Sequence, residues 1–200
     1  MDFKTLVLAT GNQGKVREFG AMLEPLGIEL KMQADLGVKE PVEDGRSFIE
    51  NAIIKARAAS DQTGLPALAD DSGLCVDALG GAPGVYSARF AGVHGDDQAN
   101  NALLLEKLKD VEEARRGAHY CCALCLVRFK DDPMPLCVTG TWKGSIGRKA
   151  RGSWGFGYDP LFVVTGRSCT AAELPPQLKN LISHRGVALR RLVAMLEQAC

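Results

Sequence analysis

Hydrophobic and polar positions along this chain switch between a period of two and a period near 3.6, and each switch marks a new element. Residues 4–9 carry the apolar run Leu6-Val7-Leu8-Ala9 and read as a first strand. Gly14 then leads into a helix with Val16, Phe19, Met22, Leu23 and Leu26 along one face, ended by Gly27. "IELKMQ" alternates Ile28, Leu30 and Met32 as a second strand. A polar loop, "GVKEPVEDGR", runs into "SFIE", the pattern of a capping box in which Ser47 caps the helix start and Glu50 reaches back. That helix is expected to continue through Ile53, Ile54 and Ala58 to about Ser60.

"LPALADDSGLCVDAL" reads as a strand broken at Asp70-Asp71-Ser72-Gly73 and then resumed. A Gly/Pro-punctuated segment with a short helix follows, and Asp96 opens a helix carrying Leu103, Leu104 and Leu108. Two long strands, near 118–130 and 135–147, flank the turn "KDDPM". The chain closes with a glycine-rich loop, a short strand "LFVV", a loop, and an amphipathic helix from Ser183 through Ala188, Leu189, Leu192, Val193 and Leu196. Interleaved strands and helices predict an α/β fold: one domain over residues 1–200, with a long central mixed sheet flanked by helices. The long hairpin suggests a second lobe, with an active-site cleft between lobes.

Composition narrows the classes. With 46% hydrophobic and 24% charged residues, the chain can bury a core, and 24 basic against 24 acidic side chains leave no net charge. That balance argues against a nucleic-acid coat. No stretch reaches the roughly 18 apolar residues of a membrane span, and the N-terminus lacks a signal peptide's apolar region, so a soluble, cytoplasmic protein is expected. Seven cysteines, an odd number, fit a reducing compartment better than a disulfide framework. In "AHYCCALCLVRF", Cys122 and Cys125 form a lone C-x-x-C whose members point to opposite faces of a strand. These read as packing cysteines rather than a zinc site.

Four loops carry more polar chemistry than a turn needs. Thr10-Gly11-Asn12-Gln13-Gly14-Lys15 follows a strand and opens a helix, where backbone N–H groups and an ammonium suit an anion. The spacing is not that of a P-loop, and Val16 stands where a metal-binding hydroxyl would. A plain turn capped by Asn12 would look the same. Asp70-Asp71-Ser72-Gly73 sets two carboxylates against an apolar strand, a costly placement unless a cation offsets it. Magnesium is the natural partner, and a solvated turn is the alternative. Gly152-Ser153-Trp154-Gly155-Phe156-Gly157-Tyr158-Asp159-Pro160 places rings on a flexible backbone, which suits stacking on a base or buttressing a core. Ser183-His184-Arg185-Gly186, with Lys179 before it, fits an anion, a base edge or a capped helix. A metal-dependent enzyme acting on a nucleotide accounts for all four.

The ordered set "TGNQGKVRE", "SFIENAIIKA", "ADDSGLCVDALGGAPGVYSARFAG", "GFGYDPLF" and "SHRG" resembles the inosine/xanthosine triphosphate pyrophosphatase family, most closely its bacterial members. The resemblance covers nearly the whole chain. It implies an elongated, two-lobed homodimeric hydrolase that converts deaminated purine nucleoside triphosphates (ITP, dITP, XTP) to the monophosphate and pyrophosphate. Carried across, residues Thr10, Gly11, Asn12, Gln13, Gly14 and Lys15 would bind the triphosphate, with Lys15 as the main cation. Asp71 would be general base and metal ligand, Glu43 the second magnesium ligand, and Ser72 a substrate contact. Phe156, Gly157, Tyr158 and Asp159 would form the base pocket with Lys179, His184 and Arg185. Two departures flank that pocket: Trp154 where a small residue is common, and Pro175-Pro176 in place of a more helical, acidic stretch. A non-catalytic nucleotide-binding module would not need Asp70, Asp71 and Glu43. A monophosphatase would leave the aromatic loop unexplained.

Overall fold

The computed structural model of the chain describes residues 4–198; the side chains of Leu26 and Gln198 lie outside that description. Strand β1 (Thr5–Ala9), helix α1 (Gln13–Leu23) and strand β2 (Glu29–Met32) come first. Helix α2 (Phe48–Thr63) leads to β3 (Ala67–Val76), and α3 (Asp97–Lys107) leads to β4 (Gly117–Val127). Strands β5 (Leu136–Ile146) and β6 (Phe162–Val164) precede helices α4 (Pro176–Ile182) and α5 (His184–Gln198). One six-stranded sheet runs β2-β1-β3-β4-β5-β6. Strand β1 is parallel to β2, pairing Leu6 with Leu30, and parallel to β3, pairing Leu8 with Leu68. Strands β5 and β6 are antiparallel, so the sheet is mixed and the expected α/β class holds.

The backbone falls into two compact units. The first holds residues 1–71, 122–140 and 185–200, and the second holds 72–121 and 141–184. The core of the first unit joins Leu6, Leu8, Phe19, Leu23, Leu68, Leu124 and Leu126 to Ala188, Leu189 and Leu192 of α5. The helical faces read from the sequence for α1 and α5 are therefore the buried ones. The second unit packs Leu74, Leu104 and Leu108 with Tyr120, Trp142, Tyr158 and Phe162.

Four local expectations change. Strand β3 does not break at Asp70-Asp71-Ser72-Gly73 but runs through as one ten-residue strand, buried along most of its length. Its carboxylates find partners to either side of the strand, so the ladder need not open to hydrate them. Helix α2 runs to Thr63, past the expected end near Ser60, and buries Asn51, Ala52, Ala56, Ala59 and Ser60; small side chains allow close approach to the sheet. The Ser47 hydroxyl does accept the Glu50 N–H, at 3.3 Å, while the Glu50 carboxylate accepts from Arg46 N–H at 2.7 Å. The expected loop before α5 contains α4, because Pro176 at its start has a preset φ and lacks an N–H that would need a partner. Pro175-Pro176 thus begins a helix instead of replacing one.

Cys122 and Cys125 face opposite sides of β4, as their spacing requires: Cys122 joins the α5 core, and Cys125 packs with Ala52 and Ala123. Cys125 is not merely a packing residue, however. It forms a disulfide with Cys137 on β5, with a Cα–Cα distance of 4.3 Å. Among the described residues no helix is long and apolar enough to cross a membrane.

Candidate active site

In the first unit the site grows from the C-terminal end of β1. Thr10 is buried, and its hydroxyl accepts the Asn12 N–H at 3.2 Å. Asn12 caps α1 by accepting the Lys15 N–H at 3.1 Å. The capped-turn reading is therefore correct as geometry, and it leaves room for an anion at the helix start. The N–H groups of Gln13 and Gly14, in the first turn, have no partner inside the helix. Gly11 is exposed and lies beside Glu40: a Cβ there would meet Oε1 at 2.7 Å.

Successive side chains on β3 point to opposite faces, and this separates the two aspartates. Asp70 is fully buried, and its partners include the Lys15 ammonium, Arg185 Nε at 3.0 Å, and the Cys122 thiol, which donates at 3.1 Å. Arg185 also pairs with Glu18 on α1. Burial alone would raise the Asp70 carboxyl; Arg185 and Lys15 outweigh it and hold the group well below the usual carboxylate range. Asp70 thus serves as the anion of a buried charge network. Arg185, expected at a base edge, is here buried in that same network.

Asp71 meets a different set. Lys55 of α2 donates to its Oδ1 at 2.7 Å, and Asn51 Nδ2 donates to its Oδ2 at 3.3 Å. The Lys55 ammonium also lies 3.1 Å from Glu43 Oε2. Burial works against the charge on Lys55, but Asp71 and Glu43 outweigh it and raise its pKa. Burial pushes the Asp71 carboxyl above its ordinary range, against the pull of Lys55 and Lys15. A carboxylate raised in this way is a better proton acceptor near neutral pH. The loop carrying Glu43 is held close to α2 at Gly45, whose N–H donates to Asn51 Oδ1 at 2.9 Å. A Cβ on Gly45 would lie 2.5 Å from that oxygen, so the approach requires glycine.

The predicted metal ligands, Glu43 and Asp71, therefore converge on one cation, the Lys55 ammonium. Two carboxylates gathered around one positive charge, offering only hard oxygen donors, fit magnesium. Lys55 and Asn51 escaped the sequence reading. Their i, i+4 spacing on the alanine-rich face of α2 was the available signal.

In the second unit, the aromatic loop is held by α3. Asp97 accepts the Gly157 N–H at 2.6 Å, and Asn101 Nδ2, one turn later, donates to the Gly157 carbonyl at 2.8 Å. Neither residue was anticipated. Asp159 is buried; it accepts the Phe156 N–H at 3.0 Å and the Lys179 ammonium at 2.6 Å. Gly155 has a φ of 81°, and a Cβ there would strike the Asp159 carboxylate at 2.1 Å, so only glycine closes this turn. The Lys179 ammonium lies 4.9 Å from the centroid of the half-buried Phe156 ring, within cation–π range. Tyr158 is buried and donates to the Ser87 carbonyl at 2.8 Å. His184 stacks on Tyr120, with ring centroids 4.7 Å apart and planes 9° from parallel. Burial, and then the Asp159 carboxylate, push the Tyr120 phenol well above its usual range, so it stays neutral. Ser72, on β3, is half-buried, and Trp154 is exposed.

A family model for the Ham1 family matches residues 6–195. The chain belongs to the Ham1 family. Among its relatives, the dITP/XTP pyrophosphatase of Shigella flexneri is 54% identical over 191 residues, covering 96% of this chain and 97% of that protein. That of Chromobacterium violaceum is 54% identical over 195 residues, covering 98% of each chain. A HAM1 protein from Coxiella burnetii superposes with a TM-score of 0.89 at 47% identity, covering 97% of this chain and 98% of that one. As a Ham1 protein, the chain carries its charged and aromatic residue groups within a fold shared along nearly its whole length.

Proposed function

We propose that this Ham1 protein hydrolyses deaminated purine nucleoside triphosphates (ITP, dITP, XTP) to the monophosphate and pyrophosphate, keeping them out of DNA and RNA. The observation that carries this reading is the Asp71 carboxylate, raised by burial and set with Glu43 around one cationic position. The dITP/XTP pyrophosphatase names of its relatives support the substrate class.

Asp71 takes the proton of the attacking water as the water oxygen bonds the α-phosphorus. The anhydride bond between the α-phosphorus and its bridging oxygen breaks, and pyrophosphate leaves with the electron pair. Lys15 and the first-turn N–H groups of α1 hold the phosphates, mainly by charge and position. Magnesium, held by Glu43 and Asp71, would offset phosphate charge and acidify a bound water. Phe156 stacks on the purine, while Lys179, ordered by Asp159, and His184, ordered by Tyr120, bear on the base. A donor facing a 6-oxo group is left unpaired against adenine, which costs about a hundred-fold or more. The family resemblance supports a cytoplasmic homodimer.

The test is a panel of ITP, dITP, XTP, GTP and ATP with separate assays for pyrophosphate and orthophosphate. Pyrophosphate from the deaminated substrates, dependent on magnesium, is expected. Orthophosphate as the first product would refute the α–β cleavage and favour a phosphatase.

A further inference from the structure

From spacing alone, the cysteine-rich stretch of β4 reads as packing cysteines. The fold brings a different set together. Cys75 on β3 and His119 and Cys121 on β4 lie in neighbouring strands of the sheet. Their candidate ligand atoms, two sulfurs and one imidazole nitrogen, all fall within 4.8 Å of one another. His119 and Cys121 are two apart on one strand, hence on one face. All three are only partly buried, so an ion can reach them from solvent.

From this geometry we propose a second metal site, separate in chemistry from the carboxylate pair, in which Cys75, His119 and Cys121 bind a zinc-class ion. Two thiolates and an imidazole are soft to borderline donors, the set that selects zinc over magnesium. Zn–S and Zn–N bonds of about 2.3 and 2.0 Å place tetrahedral ligands roughly 3.4–3.8 Å apart. The observed spread closes to this by side-chain rotation. Three protein ligands leave a fourth position for water.

The surroundings carry a further sign of construction. Asp77, in the turn after β3, sets Oδ1 3.8 Å from His119 Nδ1. It has room because residue 117 is glycine: a Cβ there would lie 2.6 Å from Asp77 Oδ2. The distance is too long for a hydrogen bond, but a carboxylate beside Nδ1 is the usual outer partner of a metal-bound histidine and would close on it once Nε2 takes the ion. In the proposed site Asp77 is the positioning residue, and Gly117 is the space that admits it.

The experiment is a zinc titration of the reduced, chelator-stripped full-length protein, read by competition with a chromophoric chelator and by metal content after desalting. Cobalt(II) is the spectroscopic probe. One zinc per chain is expected, unaffected by magnesium in excess, with a thiolate-to-cobalt charge-transfer band. Cys75→Ser, Cys121→Ser and His119→Ala should each lose the site, and each cysteine change should weaken the band. His119 is exposed enough for its replacement to leave the fold intact, which melting checks. Asp77→Asn should weaken zinc by about 10–100-fold, and Cys169→Ser should change nothing. Equal zinc binding in all three ligand variants would overturn the proposal. So would a reduced wild-type protein that takes up no zinc, or one whose only response is a Cys75–Cys121 disulfide.

Discussion

Each unit buries one arginine almost completely, and the two are satisfied in different ways. In the first unit Arg185 pairs with the carboxylates of Asp70 and Glu18, and Lys15 joins the same Asp70. In the second, Arg116 donates to three main-chain carbonyls: Leu108 at 2.6 Å, Ile146 at 2.7 Å and Gly147 at 3.0 Å. Burial works against the charge on both. Asp70 and Glu18 more than offset it and raise the pKa of Arg185, whereas Arg116 hydrogen-bonds to neutral carbonyls, and burial and then Arg148 lower its pKa against the pull of Glu113. The first unit is thus organised by opposed full charges. The second holds a buried ion pair, Lys179 with Asp159, and otherwise relies on dipoles and on the rings of Tyr120, Trp142, Phe162 and His184. The residues proposed to hold phosphates belong to the first unit, and most of those proposed to bear on the base belong to the second.

The largest effect should come from the charge network. Asp70→Asn leaves Arg185 and Lys15 short of their shared anion, and denaturant unfolding should show a loss of about 3–5 kcal/mol. A loss below about 1 kcal/mol would mean the network contributes little and the contrast between the units is superficial.

One residue further along the strand, the outcome should be catalytic. Asp71→Asn should lower kcat by about a hundred-fold or more while the melting curve stays near that of the wild type. Near-normal turnover by a folded variant would remove Asp71 as the base. Together the two variants separate structural from chemical carboxylates at adjacent positions.

Phe156→Ala tests the aromatic side. Stacking ignores exocyclic groups, so kcat/KM for ITP, XTP, GTP and ATP should fall together, by roughly 1–3 kcal/mol. A changed ITP-to-ATP ratio would show that the ring takes part in selection.

The smallest effect concerns acid. The Arg128 side chain, and the N–H groups of Arg128 and Met134, hold the buried Asp132 carboxyl well below its usual range. Its folded pKa is depressed, so its contribution is complete above the unfolded value of about 4. It is lost as pH falls toward the folded value. Asp132→Asn should flatten the acid limb of a stability–pH curve below about pH 4; an unchanged slope there would show that this pair does not contribute to it.

Much of this was legible along the chain because it is local. The β1–α1 loop, the Ser47 cap, the buried faces of α1 and α5 and the Gly-rich aromatic loop all follow from spacing within one turn or one strand. What escaped is long-range. Arg185 lies 115 positions from Asp70, and nothing near either residue announces the partner. The "SHRG" motif therefore looked like a substrate edge, although its arginine is held in the protein interior. Strand β3 was expected to break for the same reason: two carboxylates in an apolar run are costly until their cations, on α1, α2 and α5, are known.

By itself the sequence determined most of the element order, the α/β class and the family, because periodicity, capping and ordered motifs are properties of neighbouring residues. Only the tertiary structure decided which of two adjacent aspartates is sealed among cations and which meets Lys55, Asn51 and Glu43. It also decided that Cys75, His119 and Cys121, rather than the obvious C-x-x-C, share one place. The physical reason is common to both: alternation sends consecutive side chains on a strand to opposite faces, and the groups waiting on each face come from remote parts of the chain.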